Sequence, residues 1–121
     1  MTKARNSKQY DLEDRTLTFA QNVRGFVRGL KRTLSNTEDG KQLIRASGSV
    51  GANYIEANEA LSKKDFVMRI KVCRKEAKET RYWPRLVDAD EGGQSSRIRE
   101  ELIQESTELM NIFGAILSKT K

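Results

Sequence analysis

The chain has 121 residues, 33% of them charged and 36% hydrophobic, with a net charge of +6, enough for one compact domain with a modest core of the kind small bundles often supplement by self-association. It contains no histidine and a single cysteine, Cys73, which removes the commonest general base and metal ligand, every Ser–His or Cys–His nucleophile pair and any internal disulfide. The expectation is a non-enzymatic protein that needs no metal and no cofactor and suits a reducing, cytoplasmic compartment.

Residues 1–9 carry Lys3, Arg5 and Lys8 with no apolar run behind them, so they read as a basic N-terminal arm rather than a secretory signal. No stretch approaches the roughly 20 apolar residues that cross a bilayer. The first helix is predicted over 11–34. Leu12, Thr16, Phe19, Val23, Phe26, Leu30 and Thr33 recur every three or four residues, and Ala20, Val27 and Leu34 widen the seam. A second helix over 37–61 carries the seam Leu43, Ser47, Val50, Tyr54, Ala57 and Leu61. Its central glycines each cost about 1 kcal/mol against alanine, as expected where another backbone passes close by. Ile44, Gly48, Gly51 and Ile55 form a further apolar or small face on this helix. Either it contacts a second subunit, or the buried face is simply wide.

Ser62 with Asp65 three residues on predicts the start of a third helix over 63–88, with the seam Phe66, Ile70, Cys73, Ala77, Thr80, Pro84 and Val87. Pro84 lacks the N–H that would reach Thr80, and because Val87 stays in register a kink is expected rather than a stop. The Gly-Gly-Gln-Ser-Ser stretch inside 88–96 is the clearest loop. The last helix, over 97–118, is expected to bury Ile98, Leu102, Leu109, Phe113 and Ile116. Four helices of similar length joined by short connections predict an all-α, antiparallel up-down-up-down four-helix bundle over 10–121.

The charge is uneven. Residues 1–34 hold eight basic and three acidic side chains, residues 35–62 two and four, residues 63–87 nine and three, and residues 88–121 four and seven. On the third helix Lys64, Lys71, Lys78 and Arg85 lie seven residues apart, and Arg74 and Arg81 follow Lys71 and Lys78 by three. These six cations form a ridge beside the seam, suited to a phosphate backbone, since each neutralised phosphate releases counterions. A solvated stripe paired with neighbouring glutamates gives the same pattern. So does a head-to-tail ring that joins basic and acidic helices. Asn53, Glu56, Glu76 and Glu79 sit near the middles of the second and third helices. Without histidine they fit a buried network with arginines such as Arg81 better than a di-metal centre. Tyr82 and Trp83 flank the seam, where they pack at its edge, stack bases or anchor a subunit contact.

Three runs carry a family resemblance. Ala-Ser-Gly-Ser-Val-Gly-Ala-Asn-Tyr-Ile-Glu-Ala over 46–57 and Lys-Glu-Ala-Lys-Glu-Thr-Arg-Tyr-Trp over 75–83 resemble the second- and third-helix motifs of the 23S rRNA intervening-sequence proteins, also called four-helix bundle proteins. Tyr-Asp-Leu-Glu-Asp-Arg-Thr-Leu over 10–17 resembles their usual start. The resemblance implies a bacterial bundle that assembles as a homo-oligomeric ring, commonly a pentamer, with RNA association as the usual suggestion for its role. A related group serves as accessory protein of diversity-generating retroelements, partnering a reverse transcriptase and its RNA. Pro84 replaces a leucine-like residue of the family pattern, and Ala57 a common glycine. The leading expectation is an oligomer that binds RNA, ribosomal or retroelement, through Lys64, Lys71, Arg74, Lys78, Arg81 and Arg85. Its subunits would meet through Ile44, Gly48, Gly51, Ile55, Tyr82 and Trp83. The alternative is a protein-binding scaffold, such as an accessory factor for a reverse transcriptase.

Overall fold

The computed structural model describes residues 7–90 and 92–120. Of the expected basic arm, residues 1–6, with Lys3 and Arg5, lie outside the described residues, and helix α1 already runs from Ser7 to Arg28. α2 spans Leu34–Asn58, α3 Lys63–Tyr82 and α4 Gln94–Lys119, with a 3-10 turn, Trp83–Arg85, closing α3. All regular structure among the described residues is helical. Each helix packs antiparallel on the next, and α4 returns to α1, giving the up-down-up-down bundle. No described helix is long and apolar enough to cross a membrane.

The seam residues meet in one core. Phe19, Val23, Phe26, Leu43, Val50, Ile70, Cys73, Ala77, Leu109 and Phe113 are fully buried. Tyr54 packs against Phe113 with the ring planes tilted by 49° and the centroids 6.0 Å apart. The four buried seam hydroxyls, Thr16, Ser47, Thr80 and Ser106, turn back on their own helices, with Ser47 Oγ donating to the Ile44 carbonyl at 3.1 Å. Thr16 Oγ1 donates to the Leu12 carbonyl at 2.7 Å, Thr80 Oγ1 to Glu76 at 2.7 Å and Ser106 Oγ to Leu102 at 2.5 Å. Among the described residues, no buried seam hydroxyl is thereby left without an acceptor.

The helix ends depart from the sequence expectation. α1 stops at Arg28, not residue 34, and the chain turns through Gly29 and Leu30. Thr33 then caps α2, its Oγ1 accepting from Asn36 N at 3.1 Å, a contact of a type worth about 1 kcal/mol. Leu34 and Leu61 keep the helical spacing but lie outside the core, 81% and 98% exposed. Pro84 ends α3 instead of kinking it. The α-helix gives out at Tyr82, and the 3-10 turn buries the proline ring and carries Val87 into the core. α4 begins three residues earlier than expected, after a turn in which Gly92 takes φ +75°, a conformation open to glycine at little cost.

A buried asparagine ties two of these connections together. Asn36 Nδ2 donates to the carbonyls of Lys31 (3.1 Å) and Asp88 (3.0 Å), and its Oδ1 accepts from Asp88 N at 2.9 Å. The segment after the 3-10 turn is thus pinned to the start of α2.

Candidate nucleic-acid interface

α3 turns its apolar residues to the core, Arg69 and Glu76 toward α2, and Arg74 toward α4. Arg69 Nη1 donates to Asn53 Oδ1 at 3.0 Å. Arg74 lies across Gly114 of α4, where a methyl group would sit 3.9 Å from Nε. At 100° per residue, Lys64, Lys71, Arg74, Lys78 and Arg81 fall between this α4-facing edge and the outward face of α3. The first and last are 17 residues apart, so the strip is about 26 Å long at 1.5 Å per residue. Arg85 sits just past it in the 3-10 turn, outside the α-helical register expected for it. Lys64, Lys71, Arg74, Lys78 and Arg85 are exposed and Arg81 is half-buried.

The described ion pairs involve other cations. Arg15 grips Glu105 through two bonds of 2.7 and 2.8 Å and Glu108 through one of 2.7 Å, joining α1 to α4. Its hydrogen bond with Glu105 raises the Arg15 pKa above its ordinary value. Glu108 is held below the usual carboxylate range, first by the Gln104 amide and then by Arg15. Lys41 meets Glu38, and Arg99 meets Glu100. Arg45 reaches from α2 to Glu76 and Glu79, with Lys75 beside both, and Glu76 chiefly raises the Arg45 pKa. Among the described residues, none of the six ridge cations makes a side-chain hydrogen bond or an ion pair with the chain. Lys71 with Arg74, and Lys78 with Arg81, are i,i+3 neighbours of like charge that repel by a few tenths of a kcal/mol each. A polyanion laid along the strip relieves that repulsion.

The expected carboxylate network is therefore real in part, with different partners. Glu76 and Glu79 are neutralised by Arg45 and Lys75, not Arg81. Asn53 belongs to a separate pair with Arg69, and Glu56 is exposed on α2. Cys73 lies in the core, its thiol donating to the Val50 carbonyl at 3.4 Å, and burial pushes its pKa up to about 12.

The six residues expected at a subunit contact do not share one surface. Gly48, Gly51 and Ile55 line an open groove of about 350 Å³ between α1 and α2, with Leu17 and Ala20 on the other wall. Leu17 and Ile55 are 57% and 51% exposed there. Ile44 lies in the adjoining hollow beside Val27 and Gly40, whereas Tyr82 and Trp83 stand at the far end of α3. Gly51 also has a role inside the protomer, because a Cβ there would approach Thr16 Oγ1 to 3.0 Å. Sequence reading missed Leu17, whose spacing leaves it off the α1 seam, and placed Ala20 at the seam's edge without seeing that it faces this groove.

The fold is an all-α bundle with an exposed cationic strip on one helix, which meets no acidic partner among the described residues, and an apolar groove between two others. Residues 8–115 match the 23S rRNA-intervening sequence protein family, and the chain belongs to it. Among solved structures it is similar to a protein of unknown function from the S23 ribosomal protein family of Bacteroides thetaiotaomicron. That crystal structure is 29% identical, with a TM-score of 0.72 over 87% of this chain and 96% of that one. No curated protein matches the chain.

Proposed function

We propose that the protein is a non-enzymatic, homo-oligomeric RNA-binding bundle whose α3 strip engages the phosphate backbone. The observation that carries this reading is the group of six cations, five of them exposed, that no acidic residue of the chain neutralises among the described residues. The other strongly placed arginines, Arg15 and Arg45, are spent on carboxylates. Family membership supports the reading through the ribosomal RNA context in the family's name. The apolar α1–α2 groove supports self-association into a ring, a pentamer on the family resemblance. The same groove favours the second reading, a scaffold for a protein partner such as a reverse transcriptase, in which salt affects affinity little.

The test is fluorescence anisotropy of a labelled structured RNA titrated with the full chain. Charge reversal at Lys71, Arg74, Lys78 and Arg81 is expected to weaken binding at least a hundredfold, since each lost phosphate contact acts on the same electrostatic term. Reversal of Lys31 and Arg32, exposed on the α1–α2 connection, is the control and should matter little. Equal affinity for wild type and the α3 variant refutes the proposal. Native mass measured in the same buffer tests the assembly, and a monomer at working concentration refutes that part.

A further inference from the structure

The geometry points to Tyr82 as a stacking platform for an unpaired base, which makes the preferred ligand a single-stranded stretch of RNA rather than a duplex. This rests on the RNA reading above and narrows it. Tyr82 is 51% exposed at the last residue of α3, away from the α1–α2 groove. Its place four residues after Lys78 puts the two side chains on one face of the helix, and Arg81 and Arg85 flank it in sequence. The ring is held from behind, because Trp83 packs against the core and meets Tyr82 edge-on at 74°, with centroids 5.2 Å apart. Such a ring has little side-chain freedom left to lose when a base covers its open face.

Core packing does not account for an aromatic left half in water, and neither does the ion-pair pattern, which leaves Lys78, Arg81 and Arg85 without acidic partners among the described residues. Arg81 Nε and Trp83 Nε1, on the two chain neighbours of Tyr82, are buried donors that meet no acceptor among the described residues. In A-form RNA the bases are stacked inside a duplex, with a major groove too deep and narrow for side chains to read. An aromatic on the convex surface of a helix therefore gains nothing from a duplex, whereas an unpaired base can lie on it while its phosphates meet the strip.

The experiment uses the full chain, a short unstructured RNA carrying 2-aminopurine, and the same RNA annealed to its complement, each titrated at several salt concentrations. The wild type is expected to bind the single strand between about fivefold and a hundredfold more tightly than the duplex, the range that one stacked base supplies. It should also quench the 2-aminopurine. Tyr82→Ala should abolish both the preference and the quenching while keeping the salt slope, and Tyr82→Phe should retain all three. Far-UV circular dichroism confirms that the variants fold. If Tyr82→Ala keeps the preference and the quenching, or if the wild type binds both RNAs alike, stacking is refuted and the RNA reading stands. If neither RNA binds in a salt-dependent way, both are refuted. A Tyr82→Ala variant that changes native mass while binding both RNAs as wild type does assigns the ring to a subunit contact, which also overturns the inference.

Discussion

Gly51 and Gly48 sit one turn apart on the same helix, and the structure predicts opposite consequences for replacing them. A methyl group at Gly51 would stand 3.0 Å from Thr16 Oγ1 and 3.3 Å from Thr16 Cβ, whereas one at Gly48 would lie 3.7 Å from the end of the flexible Arg24 side chain. Both substitutions recover about 1 kcal/mol of helix propensity. Thr16 has no easy escape, since it is buried, β-branched, and bonded through Oγ1 to Leu12 at 2.7 Å. Overpacking of this kind costs about 1–3 kcal/mol. Gly51→Ala is therefore expected to be net destabilising by about 1 kcal/mol, and Gly48→Ala to stabilise by up to about 1 kcal/mol. Thr16→Ala in the Gly51→Ala background should recover part of the loss, because the two sites are coupled. The assay is urea unfolding followed by circular dichroism at one fixed protein concentration, which keeps any linkage to assembly constant. A Gly51→Ala protein at least as stable as Gly48→Ala would refute the close α1–α2 approach as the reason for this glycine.

Asn36→Ala removes three hydrogen bonds from a buried site and is expected to cost about 2–3 kcal/mol in the same assay. Cys73 should resist iodoacetamide in the native protein and react only after denaturation, because burial holds its thiol at a pKa of about 12. A double-mutant cycle on Arg15 and Glu105 should give a coupling of about 0.5–1 kcal/mol that shrinks with salt, the pair being about one-third exposed. The Glu108 carboxyl should titrate by NMR below the ordinary glutamate value of about 4.3. With the folded pKa depressed, its contribution to stability is present above the unfolded pKa and is lost as pH falls through the folded one.

The helices were legible because seam residues such as Phe19, Val23 and Phe26, or Ile70, Cys73 and Ala77, recur with the period of the helix and are indeed buried. Their ends were less so, because spacing reports burial rather than helicity. Leu30 is buried from the connection after α1 has ended, and Leu34 and Leu61 continue the period into solvent. The cap at Thr33 and the turn at Gly29 were the available signals, and the unbroken apolar spacing masked them. The α3 strip was visible from its seven-residue repeat, since it lies on one element. Contacts between elements were not. That Arg45 answers Glu76 and Glu79, that Thr16 rests on Gly51, and that Asn36 holds Asp88 across 52 residues of sequence all depend on the relative register of the packed segments. Nothing in the local sequence fixes that register. The groove between α1 and α2 was half seen, through Gly48, Gly51 and Ile55, because on its opposite wall Leu17 lies outside the α1 seam and Ala20 only at its edge.

The most direct test of the central claim is the slope of log K against log salt for an unstructured RNA. The five strip cations and Arg85 just past them, none with an acidic partner among the described residues, predict a slope of about −4 at roughly 0.7 per single-strand phosphate contact, falling toward about −1 when Lys71, Arg74, Lys78 and Arg81 are reversed. A wild-type slope no steeper than −1, or one that the reversal leaves unchanged, contradicts the account.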